Sequence, residues 1–168
     1  ICEYFKKVHD LKIFGAIYFN HESEKRTEEY VSRKITKNAV RIFLNKQKYL
    51  FLGNVNIKID WGYAKDYVIA AHKMMQLKKP DFFIIGSGKA HSIKYFVKKS
   101  FEYLGLDYKK HLRIDKRLIR KVKTKTLTAN TKKARKIFKF KPSTSLNKLI
   151  KIMIENDLKI ERNNKNAC

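Results

Sequence analysis

An amide, an imidazole and a guanidinium fall within seven residues at Asn20, His21 and Arg26, with Glu22 and Ser23 between them. Amide and cationic donors of this kind can meet a phosphate or a ribose. They follow directly on the apolar run Ile13-Phe14-Gly15-Ala16-Ile17-Tyr18-Phe19. That run alternates too little for a half-wet sheet, so it reads as a strand buried on both faces, as in a parallel α/β sheet. Open α/β sheets bind ligands at the C-terminal ends of such strands. The same residues also fit a polar turn with a helix cap, and taken alone they leave both readings open.

Other chemistry-bearing groups are weaker. Gly86-Ser87-Gly88-Lys89 sits between a strand and a helix, like a phosphate-binding loop. The full pattern needs a Gly where Phe83 stands and a Ser or Thr where Ala90 stands, so an NTPase is excluded and a strand-to-helix turn capped by His91 or Ser92 is expected. The spacing of His9, His21, His72, His91 and His111 matches no zinc pattern. His72 and His111 read as structural or exposed. Asp60 and Asp66 could suggest paired carboxylates, but Asp66 reads as a helix cap and Asp60 as a loop anchor.

Composition bounds the class. The chain has 168 residues, 43% of them hydrophobic, enough for one domain with a sizeable core. No run approaches the roughly 18 apolar residues of a membrane span. Cys2 and Cys168 lie at opposite ends and form no disulfide framework, so a reducing, cytoplasmic setting is expected. The net charge of +25 invites a nucleic-acid reading. Lysine outnumbers arginine 32 to 8, however, and the lysines are scattered. A surface that reads bases or clamps phosphates would favour arginine's bidentate fork. The densest stretch, Lys109 to Lys141, holds fifteen Lys and Arg against one Asp. Solvated faces explain it, and no nucleic-acid partner is expected.

The elements that must position these groups follow from periodicity. A helix is expected over 1–10, with Tyr4, Phe5 and Val8 on one face, then the strand over 11–19 and a loop over 20–29. A second helix carries Val31, Ile35, Ala39 and Ile42. Short strands are expected over 49–52 and 58–61, and a helix over 66–76 with Tyr67, Val68, Ala71 and Met75 inward. A strand over 81–85 leads to a helix from Ser92 with Ile93, Phe96, Val97, Phe101 and Leu104. A short strand over 127–130 and a short helix over 132–138 precede a last helix. That helix is opened by Pro142-Ser143-Thr144-Ser145 and carries Leu146, Leu149, Ile150 and Met153. The polar tail over 161–168 is expected to fray.

A second set of residues gives these elements a family. Leu52-Gly53-Asn54 is followed by Asp60-Trp61-Gly62-Tyr63-Ala64-Lys65-Asp66-Tyr67-Val68. With Asn20 to Arg26 and Val31-Ser32-Arg33-Lys34-Ile35, this resembles the GDP-mannose 4,6-dehydratases of the extended short-chain dehydrogenase/reductase class. The resemblance continues through Gly86 to Ser92, Phe101-Glu102-Tyr103-Leu104-Gly105-Leu106-Asp107, Lys133-Ala134 and Lys141-Pro142, in order and over almost the whole chain. It implies an α/β fold: the C-terminal part of a Rossmann-like NAD(P)-binding sheet plus a small α/β substrate-binding lobe. Family members begin with a Gly-rich dinucleotide-binding turn and later carry a catalytic Tyr-x-x-x-Lys pair, a Thr or Ser and a Glu. This chain starts at Ile1 and has none of them, so residues 1–168 are expected to be the C-terminal half, with no catalytic residue of its own.

By the same resemblance His21 and Arg26 contact NADP. Asn20 faces the sugar diphosphate, Lys34 binds the nucleotide end, Val31 packs near the guanine with Asn54 close by, and Arg120 clamps the diphosphate. The parent is expected to convert GDP-mannose to GDP-4-keto-6-deoxymannose, on the way to fucose-type sugars, and to be a homo-oligomer away from membranes. Ile59 stands where the family has an Arg that helps hold the diphosphate, Lys121 where it has Pro, and Lys123 where it has a ribose-binding Glu. These departures leave open a related nucleotide-sugar epimerase or dehydratase with another substrate. From a different class, a non-enzymatic basic nucleic-acid-binding protein also remains open.

Overall fold

The computed structural model describes residues 1–119 and 126–163. Arg120, Lys121, Lys123 and Cys168 lie outside the described residues. Helix α1 (Cys2–Val8) leads to β1 (Gly15–Tyr18) and β2 (Asn20–Glu22), then to α2 (Val31–Phe43), β3 (Leu50–Leu52), β4 (Lys58–Tyr63) and α3 (Ala64–Met75). There follow β5 (Phe82–Ile85), β6 (Ala90–Ser92), α4 (Ile93–Tyr103), α5 (Tyr108–His111), β7 (Leu112–Ile114), a 3-10 turn (Lys116–Leu118), α6 (Lys132–Phe138) and α7 (Leu146–Asn163).

The strands pair across long stretches of chain. β1 runs parallel to β5, with Gly15 opposite Phe82 and Tyr18 opposite Ile85. β2 runs parallel to β4, placing Asn20 opposite Trp61, and β4 is antiparallel to β6, placing Ile59 opposite His91. β3 runs parallel to β7. Parallel pairs need crossover segments, and helices supply them here: α2 lies between β2 and β4, α3 between β1 and β5.

Two apolar cores result. The larger joins α2, α4 and α7 over β3 and β4, through Ile35, Ala39, Leu50, Trp61, Phe96, Phe101, Leu149 and Met153. The apolar spacing expected for these three helices falls on this core. The smaller packs α3 and α6 on β5, through Tyr67, Ala70, Met74, Phe83, Ala134 and Phe138. The fold is thus α/β: part of a parallel sheet with its helices, plus a helical lobe.

Several expectations need correction. β1 is not buried on both faces: Ile17 is 61% exposed and Tyr18 41%, and β5 is its sole strand partner among the described residues. Residues 20–22 are strand β2 rather than loop, since β4 offers a parallel edge to them. The stretch 127–130 is not a strand; there the Ala129 N–H donates to the Asp60 carboxylate instead of a ladder partner. Helix α3 turns Tyr67, Ala70 and Met74 inward and leaves Val68 and Met75 exposed. Asp66 does not cap α3. It lies inside the helix, accepting from Ser143 Oγ at 2.7 Å and the Thr144 N–H at 3.0 Å, and so tethers the chain entering α7. The tail does not fray at Glu161: residues 161–163 are the last turn of α7, and Glu161 is buried.

Candidate functional site

The polar cluster after β1 is built on β2. Phe19 N–H donates to the Ile85 carbonyl, which ends the β1–β5 ladder. The chain then steps onto β4, so Asn20 and His21 emerge exposed beside the C-terminal end of β1. His21 Nδ1 lies 3.0 Å from the Phe19 carbonyl. A carbonyl only accepts, so Nδ1 carries a proton and Nε2 faces away from this bond. The ring is flanked by Tyr67, 5.2 Å between centroids, and by Tyr18 at 5.9 Å.

Tyr67 reaches this position from α3 because Gly62 has no side chain. A Cβ there would sit 2.3 Å from the Tyr67 ring. The Tyr67 hydroxyl donates to the Asn20 carbonyl at 3.4 Å. Burial, reinforced by the nearby Asp60, Asp66 and Glu22 carboxylates, pushes this phenol far above its ordinary range, so it stays protonated.

Arg26 is fixed by two neighbours. Its Nε pairs with Glu22 Oε2 at 3.2 Å, and its guanidinium carbon lies 3.3 Å from the centroid of the Tyr30 ring. Glu22 is 3% exposed. Burial raises its carboxyl above the ordinary value, opposed by Ser32, Arg26 and His21. The loop behind Arg26 is held from α2 and α7. Arg33 donates to the Glu24 carbonyl and pairs with Asp157 at 2.7 Å, while Asn156 donates to the same carbonyl at 3.3 Å.

Lys34 and Asn54 belong to a second rim. Gly53 lets the chain after β3 pass the 3-10 turn, since a Cβ there would meet the Leu118 carbonyl oxygen at 2.5 Å. Asn54 Oδ1 then accepts from the Asn56 N–H at 2.9 Å, an Asx turn that leaves Asn54 exposed. Asp115 opens the 3-10 turn, and its carboxyl is lowered mainly by its bonds with Arg117 and also by the charge of Lys34. Lys34 therefore faces the segment that leads to Arg120. Val31 begins α2 and packs against the larger core.

The structure brings Asn20, His21 and Arg26 together on β2 and the loop after it, while Lys34 on α2 and the Gly53-Asn54 turn after β3 each lie beside the segment of the 3-10 turn. Sequence reasoning singled out these residues but missed Glu22, Tyr30 and Tyr67, which position them. The four-residue spacing of Glu22 and Arg26 was the available signal for the first.

The loop that resembles a phosphate cradle is occupied by the protein's own anion. Asp60 accepts from the Ser87 and Gly88 N–H groups at 2.9 and 3.0 Å, from Ser87 Oγ at 2.5 Å and from the Ala129 N–H at 3.0 Å. Asp60 is thus the loop anchor expected, and Ser92 caps α4 through the Tyr95 N–H. Ile59 shares a strand face with Trp61 and packs against the larger core. It cannot donate to a phosphate. No cluster of His, Cys, Asp or Glu among the described residues could hold a metal ion. No described helix is long and apolar enough to cross a membrane.

Parallel strands with crossover helices and a polar rim at the C-terminal strand end define part of a Rossmann-like α/β protein. The sequence profile of the GDP-mannose 4,6 dehydratase family matches residues 1–153. The chain belongs to this family. It is 38% identical over 161 residues to GDP-mannose 4,6 dehydratase 1 of Arabidopsis thaliana, covering 96% of this chain and 45% of that protein. It is 32% identical over 180 residues to the Homo sapiens GDP-mannose 4,6 dehydratase, covering 97% and 48%. The chain therefore spans about half the length of the curated relatives it matches. Among solved structures, RMD from Pseudomonas aeruginosa complexed with NADPH superposes with a TM-score of 0.87 at 12% identity, over 95% of this chain and 52% of that one. The dTDP-glucose 4,6-dehydratase of Bacillus anthracis in complex with NAD superposes at 0.77 and 17% identity, over 98% and 49%. These likenesses show the fold.

Proposed function

We propose that this chain is the C-terminal half of a GDP-mannose 4,6-dehydratase, a lyase that forms GDP-4-keto-6-deoxymannose. The observation that carries the reading is the family match over residues 1–153. The parent's cofactor is NADP, which when bound supplies the hydride acceptor and donor of the internal redox step. The residues present fit that group. Arg26 keeps its terminal nitrogens for a phosphate while Glu22 and Tyr30 hold its plane. His21 offers Nε2 with its ring orientation set by Phe19 and Tyr67.

In this reading Asn20 faces the sugar diphosphate, Arg120 clamps it, Lys34 binds the nucleotide end, and Val31 packs near the guanine with Asn54 close by. The chain contributes pocket walls and no acid or base for the elimination of water, so by itself it is inactive. Ile59 removes one diphosphate donor and weakens GDP-mannose binding relative to an arginine-bearing relative. The parent is a homo-oligomer of the cytoplasm, feeding fucose-type sugar synthesis.

Co-expression with the N-terminal half of a relative tests the proposal. GDP-mannose turnover is expected only when both halves are present, and it should fall with Arg26→Ala. Turnover by the 168-residue chain alone, or none with the complementing half, would overturn it.

A further inference from the structure

On the far side of β4 from the Asn20–Arg26 rim lies a cavity of about 770 Å³. It opens between the β5–β6 turn, α6 and the segment leading into α7. Basic groups crowd it: Lys89, His91, Arg135, Lys139 and Lys141 line it, and no acidic side chain does. None of its lysines, nor Arg135, forms an ion pair among the described residues, unlike Arg41 and Lys46, which are paired with Glu161.

Asp66, 6% exposed, lies behind the lining and accepts from Ser143 and Thr144. Asp60 is 1% exposed. Its oxygens already accept from Ser87, Gly88 and Ala129, so it does not offset the lining cations at the surface. His91 feels this field: burial first, then the charge of Lys89, lowers its pKa despite Asp60.

Two features concentrate the charge. Arg135 lies over the β5–β6 turn; a methyl group added at Gly88 would be 3.5 Å from its Nη2. Lys139 ends α6 in the left-handed conformation, φ 55, where glycine is the usual residue and a side chain is held at a cost. The rest of the wall mixes aromatic and apolar groups with the polar Ser87, Ser143, Ser145 and Asn147. Tyr95 and His91 stack with centroids 4.8 Å apart, and Trp61, Phe140 and Leu146 complete it.

We propose that this cavity binds a nucleotide, a polyphosphate ester with an aromatic base, on the β6 side of β4 and away from the Asn20–Arg26 rim. Lys89, Arg135, Lys139 and Lys141 take the phosphates, and the aromatic wall takes the base. The volume suits a ligand of that size. Four unpaired cations around a cavity favour a polyphosphate over a single carboxylate, because each added phosphate oxygen finds a donor.

Trp61 is the one tryptophan of the chain and lines the cavity, so its fluorescence reports occupancy. Titrating the 168-residue chain with ATP at physiological salt should give a saturable change. Lys89→Ala with Arg135→Ala should raise the half-saturating concentration by roughly tenfold or more. Removing the same charge elsewhere, by Lys7→Ala with Lys12→Ala, should not, and neither should Lys34→Ala on the other rim. Inorganic pyrophosphate should bind more weakly than ATP. The proposal is overturned by a change that never saturates, by equal weakening in both double variants, by loss of the signal in Lys34→Ala, or by pyrophosphate matching ATP.

Discussion

Glu22 Oε2 holds Arg26 Nε at 3.2 Å from a position that is itself 3% exposed. The carboxylate sits at the end of β2, and the guanidinium lies between it and the Tyr30 ring. A flexible arginine is thereby presented in one orientation at the rim beside β1. Less rotamer entropy then remains to be lost when an anion binds.

Removing the anchor should therefore weaken anion binding without touching the arginine. In the protein reconstituted from both halves, Glu22→Ala should raise the dissociation constant for NADP several-fold, because a freed Arg26 loses more rotamer entropy on binding. Glu22→Gln, which keeps an oxygen acceptor for Arg26, should recover part of the loss. Calorimetry on the three proteins checks this, and equal affinities would show that Arg26 needs no anchor.

Arg33 and Asp157 form a buried pair that links α2 to α7, with side chains 7% and 1% exposed. Breaking one partner leaves a buried charge, so Asp157→Ala should cost ~3–5 kcal/mol. Replacing both, Arg33→Leu with Asp157→Leu, should cost far less, because the apolar neighbours then carry the contact. Urea unfolding of the two variants and the parent provides the comparison. A double variant as unstable as the single one would show that the pair is net stabilising.

Acid should act on three buried carboxyls with opposite signs. Burial raises Glu22 and Asp157 above their ordinary values of 4.5 and 3.8. The folded state then binds their protons first, so these two groups favour folding fully below their ordinary values and lose that contribution as pH rises through the raised folded pKa values. At Glu161 burial also pushes upward, but bonds from Lys46 and Arg41 outweigh it and lower the carboxyl. Its stabilisation is present above its ordinary value of 4.5 and is lost as pH falls through the lower folded pKa. Glu161→Gln should therefore flatten the stability profile on the acid side of pH 4.5 more than at neutrality. Denaturant midpoints measured across pH check it, and an unchanged acid limb would exclude the contribution.

The open side of β1 should make the isolated chain associate. Ile17 is 61% exposed beside an edge with no partner among the described residues, and such edges template further pairing. Ile17→Lys should reduce concentration-dependent light scattering of the 168-residue chain. It should also impair reconstitution with an N-terminal half, if that half covers the same face. Unchanged scattering would place the association elsewhere.

Local pattern accounts for much of what the sequence determined. Apolar spacing identified α2, α4 and α7 with their inward faces, the motif order gave the family, and the polar cluster after β1 does sit at a strand end. The same logic chose the wrong phase for α3, because Tyr67, Val68, Ile69, Ala70 and Ala71 make the helix apolar on several sides. Only its packing on β5 decides that Tyr67, Ala70 and Met74 turn inward. Asp60 read as a loop anchor, but the partners it anchors, Ser87, Gly88 and Ala129, are up to 69 residues away and only the fold brings them to it. Glu161 looked like a frayed tail until Arg41, 120 residues earlier, reached it. Helical periodicity is written in neighbours three and four residues apart, so a sequence displays it. Hydrogen bonds and ion pairs between distant segments depend on where the whole chain packs, and only the tertiary structure decides that.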